Sequence, residues 1–423
     1  MMQHNKLREF LLKPETLERL SALYGSQRQA QQQQRYLNLV DNHQDTFGNR
    51  EQLYIVSAPG RTEIVGNHTD HNHGKVLAAA VNLDTLAVVS PREDMRACVH
   101  SQGYPVVDVD LNTLTPQTQE RGTSAALVRG VAARMAALGY KIGGFDAVVV
   151  SDVLGGSGLS SSAAYEVLVC AILDRLYNGF TVSPVVRAQI AQYAENEFFG
   201  KPCGLMDQMA SSVGGLVAID FGGETPVITP LTYGFAQRGH ALVMVNTGGS
   251  HDDLVAEYAA IRSEMLQVAQ FLGQATLRDC TRDQLNTHMP RLRETVGDRA
   301  ILRSMHYFNE NDRVDQAVQA LREDNLPMFL EQVNGSGRSS WEWLQNISAS
   351  AHHQPMALAL ALAEGLLAGN GARRVHGGGF AGTTLNFVPD KLRTHFIAGM
   401  DAVFGQGACQ VLDVRNEGAV AFG

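Results

Sequence analysis

The 423-residue sequence predicts an α+β protein of two domains, and three observations carry that reading. The chain is longer than a single hydrophobic core usually grows. Strand-like runs between residues 52 and 111 follow one another without intervening helices, which points to an antiparallel or mixed sheet rather than a strict βαβ alternation. A stretch rich in Pro, Gly and Thr near residues 225–240 marks a boundary, giving an N-terminal domain of residues 1–230 and a C-terminal domain of residues 231–423.

Residues 1–50 read as helix followed by irregular chain, with Leu11, Leu12, Leu17 and Leu20 forming a partial apolar face and the glutamine-rich run at 27–36 an exposed helix. "QLYIVSAPGR" reads as a strand ending at the turn pair Pro59-Gly60, and the segments at 76–93 and 95–111 supply further strands. A helix spans 124–138, closed by Gly139. The strand "FDAVVVSDV" then enters "LGGSGLSSSAAYEVLVCAILDRLY", where Ala164, Leu168, Ala171 and Ile172 share one helical face. Ser183 caps the next helix, with Pro184 at its first position and Gly200 as its stop. Short strands "LVAIDFG" and "HALVMVNTGG" follow. The C-terminal part carries helices near 251–270, 312–322, 325–346 and 356–367, then a glycine cluster, another helix and a last strand "ACQVLDVR".

Composition narrows the function. Apolar residues make up 44% and charged residues 18%, the balance of an ordinary soluble protein. A formal net charge of -9 offers no basic field for a nucleic acid backbone. No apolar run is long enough to span a membrane and the start of the chain is charged, so a cytoplasmic protein is expected. The five cysteines, Cys98, Cys170, Cys203, Cys280 and Cys409, show no CxxC spacing, which fits a reducing compartment.

"LGGSGLSSSAA", residues 154–164, joins a strand to a helix. Glycines permit close backbone approach to a ligand, and the free N–H groups of a first helical turn attract anions. Ser160, Ser161 and Ser162 stand where a phosphate oxygen or its magnesium would be, although a serine before a helix is also a plain cap. The lysine of the common nucleotide loop and the third glycine of the dinucleotide fingerprint are both missing. "HGGGFAGTTLNFV", residues 376–388, reads either as a bulged turn between strands or as a second wall of an interdomain cleft.

Among the acids, Asp207 in "KPCGLMDQMASSVG" is a candidate general base or a turn former, and Cys203 beside it a remote thiol candidate. Glu195, near a helix C-terminus, gains if a cation lies close. "GRTEIVGNHTDHNHG", residues 60–74, admits three readings: zinc ligation by His68, Asp70, His71 and His73, a solvated turn, or a pocket for a hydroxylated ligand. For the last, Arg61 offers a fork of donors and Asp70 an acceptor for vicinal hydroxyls.

Together, "PGRTEIVGNHTDHNHGKVL", "LGGSGLSSSAA" and "HGGGFAGTTL" resemble the three ordered motifs of the GHMP small-molecule kinases, and the first with "PCGLMDQ" resembles galactokinases. The resemblance implies a two-domain GHMP kinase fold, with an N-terminal α/β domain on a mixed sheet, a C-terminal α+β domain, and the active site in the cleft between them. It implies an ATP-dependent kinase, with Mg2+, that phosphorylates the anomeric hydroxyl of galactose or a close relative. By similarity Asp207 would face the C1 hydroxyl and Arg61 the transferring phosphoryl group. Asn67, His68, Asp70 and Gly204 would line the sugar site. Gly155, Gly156, Ser157, Gly158, Leu159, Ser160, Ser161 and Ser162 would hold the ATP phosphates, and Ser162 and Glu195 the magnesium. The expected partner is a small sugar, with no nucleic acid and no membrane; the oligomeric state is open, with a monomer favoured.

Two departures stand out. The family motif reads G-E-H-T-D-Y, whereas Asn67 and His71 replace the glutamate and tyrosine. The family also tends to place a tyrosine against the sugar from the segment that here is 336–346, where an ungapped reading puts Leu344, with Trp341 and Trp343 close by. An amide at 67 removes a charge that would repel an acidic sugar, which makes galacturonate an alternative acceptor. A regulator that binds sugar and ATP without turnover is the other alternative.

Overall fold

The computed structural model describes residues 3–153, 158–248, 255–380 and 382–423. It is a mixed α+β structure with two sheets. Three helices open the chain, α1 (His4–Leu11), α2 (Pro14–Tyr24) and α3 (Gln29–Phe47). Strands β1 (Tyr54–Val65), β2 (Lys75–Pro91), β3 (Arg96–Ser101) and β4 (Val107–Asp110) follow, then α4 (Ser124–Ala137), β5 (Phe145–Ser151), α5 (Ser161–Tyr177) and α6 (Pro184–Tyr193). After α7 (Met206–Val213) come β6 (Leu216–Asp220), β7 (Val227–Leu231) and β8 (His240–Asn246). The remainder holds α8 (Val255–Phe271), α9 (Arg282–Thr295), α10 (Asp298–Arg322), α11 (Leu326–Ser339) and α12 (Pro355–Leu367). It closes with β9 (Ala372–Val375), β10 (Thr383–Pro389), α13 (Asp390–Phe404), β11 (Cys409–Leu412) and β12 (Val420–Phe422).

The first sheet runs β12-β1-β2-β5-β3-β4, with β6 on the other half of β2 and β7 beyond it. Among the described residues only the β3–β5 pair is parallel, so the sheet is mixed, as expected from strands that follow one another closely. Successive side chains of a strand face opposite sides, and the core follows that rule. Ile55, Leu86 and Val88 pack against α1 to α3, while Val56, Ala87 and Val89 pack against α4 to α6. The second sheet, β11-β8-β10-β9, buries Val243 and Val245 against α12 and α13. Its other face sends Leu242, Met244 and Phe387 onto Leu77 and Ala79 of the first sheet, so one continuous core joins the two halves.

Several sequence expectations are corrected. The first fifty residues are helical through Phe47, because Gln32, Tyr36, Leu39 and Val40 turn one face of α3 inward. Strand β1 does not stop at Pro59-Gly60; its register shifts there, and such a bulge accommodates a proline that has no N–H to give. Helix α5 is buried all round rather than on one face. Helix α9, most of α10, and strands β7 and β12 were not anticipated. Ser183 does cap α6, accepting from the Val186 N–H, and Gly200 ends the following turn at φ 86°.

Asp84 of β2 ties the ends of the chain to this sheet. Its fully enclosed carboxylate accepts from Arg35 of α3 at 2.6 Å and from Arg415 at 3.0 Å, and also from the hydroxyls of Tyr24 and Ser57. Among the described residues no helix is long and apolar enough to cross a membrane.

Candidate active site

Arg61 stands on β1 and Asp207 in the first turn of α7, where the helix dipole favours a carboxylate. The Ser211 hydroxyl of α7 donates to the Pro59 carbonyl at 2.6 Å, fixing that helix on β1. The guanidinium then grips the carboxylate with both arms, Nε to Oδ1 at 2.7 Å and Nη2 to Oδ2 at 2.8 Å. Its remaining nitrogen donates to the Gly158 carbonyl, and the Arg61 N–H donates to the Leu159 carbonyl at 3.2 Å. The Ser160 hydroxyl closes the set on Asp207 Oδ2. Burial alone would push the Asp207 carboxyl up, but the charge and hydrogen bonds of Arg61, with Ser160, hold it below its ordinary value. The side chain keeps 31% of its surface exposed.

The glycine loop meets this group directly. Gly155, Gly156 and Ser157 lie outside the described residues. Gly158 has φ 75°, and a Cβ there would stand 2.7 Å from Thr383 Oγ1 and 2.8 Å from His376 Nδ1. The two glycine-rich segments therefore touch, 376–379 serving at once as the turn after β9 and as a wall of the site. Leu159 buries its side chain in the core, Ser160 takes a left-handed φ of 56°, and Ser161 begins α5.

Ser162 Oγ donates to Glu195 Oε1 at 3.1 Å. Glu195 sits in a π-helical turn, Ala194–Phe199, that continues α6, a distortion common at functional sites. Lys201 approaches the same oxygen at 3.5 Å, and Gln208 donates to Oε2 at 2.8 Å and to Glu166 Oε2 at 3.1 Å. Glu166 was not singled out from sequence; burial and then the Glu195 charge push its carboxyl well up. The Cys203 thiol is likewise driven up by burial and the Glu195 charge, which removes the thiolate a nucleophile needs.

Gly204 lies against Asp70: a Cβ at 204 would fall 1.7 Å from Asp70 Oδ2, so no other residue fits without displacing that carboxylate. Asp70 is pushed up to about 6, by burial first and then by the charges of Asp207 and Glu63. His68, at φ 56°, donates from Nε2 to the Gly378 carbonyl at 2.8 Å. His73 is exposed, and among the described residues no three His, Cys, Asp or Glu side chains converge as a metal site.

Asn67 stands apart from the other sugar-site candidates. It is fully enclosed, and its amide is spent inside the protein. Nδ2 donates to Glu63 Oε1 and to the Gly377 carbonyl, each at 2.9 Å, while Oδ1 accepts from Asn346 at 2.8 Å and from Ser340 at 3.3 Å. Leu344 is core as well, so the expected tyrosine is not in that segment. An aromatic hydroxyl reaches the site from α8 instead: the Tyr258 ring lies 6.5 Å from the His68 ring, and its hydroxyl donates to the Gly379 carbonyl at 2.6 Å.

On this fold an arginine-clamped aspartate thus lies against a glycine loop that opens a helix. Residues 126–215 match the GHMP kinases N terminal domain, which supports a member of the GHMP kinase family. Within it the chain is close to galactokinase, since residues 41–91 match the galactokinase galactose-binding signature. The fold is shared with the galactokinase of Lactococcus lactis, solved with galactose, at TM-score 0.78 and 23% identity over 90% of this chain and 98% of that one. A D-glycero-D-manno-heptose 1-phosphate kinase from Bacteriodes thetaiotaomicron shares it at TM-score 0.61 and 15% identity, over 88% and 99%. The L. major mevalonate kinase, in complex with R-mevalonate, does so at TM-score 0.58 and 16% identity, over 85% and 95%.

Proposed function

We propose that the chain is a sugar 1-kinase, transferring the γ-phosphoryl group of ATP to the anomeric hydroxyl of galactose or a close relative. The observation that carries this reading is the Arg61–Asp207–Ser160 group, which sets a carboxylate between the glycine loop and the Asp70–Gly204 wall. The C1 hydroxyl donates to Asp207, its oxygen bonds the γ-phosphorus as the bond to the ADP oxygen breaks, and the proton passes to Asp207. A carboxyl held low is a weak base, so Asp207 orients the hydroxyl and takes the proton late, which suits a loose phosphoryl transition state. Arg61 then exchanges part of its grip on Asp207 for the charge on the transferring group.

His68 and Asp70 hold sugar hydroxyls, with the Gly204 backbone beside them. The ATP phosphates lie along Gly155 to Ser162 and the N-terminus of α5. The hydroxyl of Ser162 and the carboxylate of Glu195 are hard oxygen donors already within 3.1 Å of each other, the kind of sparse protein set that suits Mg2+ when phosphates and water complete its shell. Bound there, Mg2+ would offset the phosphate charge. The units 1–230 and 231–423 would flank the sugar, with β12 crossing back to the first sheet.

The test is ADP formation by the purified protein across galactose, galacturonate, glucose, N-acetylgalactosamine and talose, with the phosphorylated carbon located by NMR. Galactose or a neutral relative should raise ADP formation well above the sugar-free rate and carry phosphate on C1. If no sugar does so, the kinase reading fails and the regulator reading stands.

A further inference from the structure

Glu63 belongs to none of the roles assigned so far. It lies two residues beyond Arg61 on β1, and no register shift separates them, so both side chains leave the same face about 7 Å apart along the strand. Opposite them in β2 stand Ala80 and Ala78, whose short side chains leave that face to the longer ones. Glu63 is almost enclosed. Oε1 accepts from Asn67 and from Arg374 Nη2, while Oε2 has no hydrogen-bond partner among the described residues. Its charge reaches the site, for it acts on both Asp70 and His68.

We propose that Glu63, not Asn67, selects the acceptor, its free oxygen accepting from a neutral hydroxyl at the end of the sugar ring remote from Asp207 and rejecting a carboxylate there. The proposal rests on the sugar-kinase reading above. The carboxylate missing at position 67 is present four residues earlier, hydrogen bonded to the amide that replaced it. Arg374, fully enclosed, pairs with Glu63 Oε1 and leaves Oε2 to face the site. An ionised carboxylate offers acceptors only, so it pairs with an O–H and leaves another carboxylate unpaired. Asn67 has no group left to offer, since both sides of its amide are bonded internally. The galacturonate alternative drew on a charge lost at position 67, and Glu63 puts that charge back on Arg61's face of β1.

The experiment compares kcat/KM for galactose, 6-deoxygalactose and galacturonate in the unaltered protein and in Glu63→Gln, with thermal melting of both. In the unaltered protein galactose should exceed each of the other two by roughly tenfold or more, because a buried acceptor is left unpaired or faces a like charge. Glu63→Gln, which has the same shape, should narrow the gap to galacturonate by a similar factor. Turnover of 6-deoxygalactose or galacturonate as fast as galactose by the unaltered protein overturns the proposal, whether or not the variant folds. So does a folded Glu63→Gln protein with unchanged ratios. Absence of turnover with every sugar overturns the kinase reading on which the proposal rests.

Discussion

Asp207 and Asp84 are built from nearly the same parts in opposite surroundings. Each carboxylate is held by arginine and by a serine hydroxyl, Arg61 and Ser160 in one case, Arg35, Arg415 and Ser57 in the other. Asp84 has no exposed surface and adds Tyr24, so all its partners are permanent and the chain ends are pinned to the sheet. Asp207 keeps about a third of its side-chain surface open, and its partner Arg61 also holds the Gly158 carbonyl, so this group stands where a ligand could reach it. The donor set alone does not separate structure from chemistry. Exposure and the neighbouring backbone do.

Removing each acid separates the two roles. Asp207→Ala should lower kcat for sugar-dependent ADP formation by about a thousandfold or more, with ATP affinity and the melting temperature nearly kept. A parallel loss of nucleotide binding, measured by titration, would count against its place on the acceptor side. Asp84→Ala should instead cost about 3–5 kcal/mol of stability at pH 7, since it strands the buried Arg415, while activity per folded molecule persists. Urea unfolding reads the loss. Although burial opposes it, the arginines hold the Asp84 carboxyl down at about 2. Its folded pKa lies below the unfolded one, so its contribution is present above about pH 4 and fades as pH falls towards 2. The gap between wild type and Asp84→Ala should therefore shrink on acidification, and a gap independent of pH would break the comparison.

Asp70 gives the smallest and sharpest test, because its carboxyl moves the other way, up to about 6. A raised folded pKa means that ionisation is disfavoured in the fold, so stability falls as pH rises from about 4 to about 6. Asp70→Asn should melt slightly higher than wild type at pH 8 and bind sugar more weakly. The wild-type sugar KM should rise below pH 6, and this limb should vanish in the variant. A KM flat between pH 5 and 8 in the wild type would remove Asp70 from the sugar wall.

The parts of the site that the sequence made legible were local. Arg61, His68, Asp70, Ser162, Glu195, Gly204 and Asp207 are brought together, and each lies in a short motif whose backbone demands are visible in its glycines. What escaped depends on contacts across hundreds of positions. Asn67 looks free in sequence, and only the approach of Asn346 and Gly377 shows its amide saturated. Tyr258 lies almost ninety residues before the segment around Leu344 where the family pattern places its tyrosine, and nothing local in the sequence marks it. Glu63 had a signal, since strand alternation places it on Arg61's face, but the strand was expected to end at Pro59-Gly60. The first part of helix α10 hid for a physical reason: its buried face includes Arg303, Ser304, His306 and Glu310, the last two bonded to the backbone of Gly66 and Asn67, so apolar periodicity fails there.

Strand β12 has a consequence for how the molecule is made. Val420 pairs with Ser57, and Arg415 reaches Asp84, so the edge of the first sheet stays open until those residues have been synthesised. Contacts of such sequence separation slow folding. Until then the unpaired edge of β1 is a place where a nascent chain can stick to its neighbours, and truncations that remove residues 415–422 should yield insoluble protein rather than a shorter kinase.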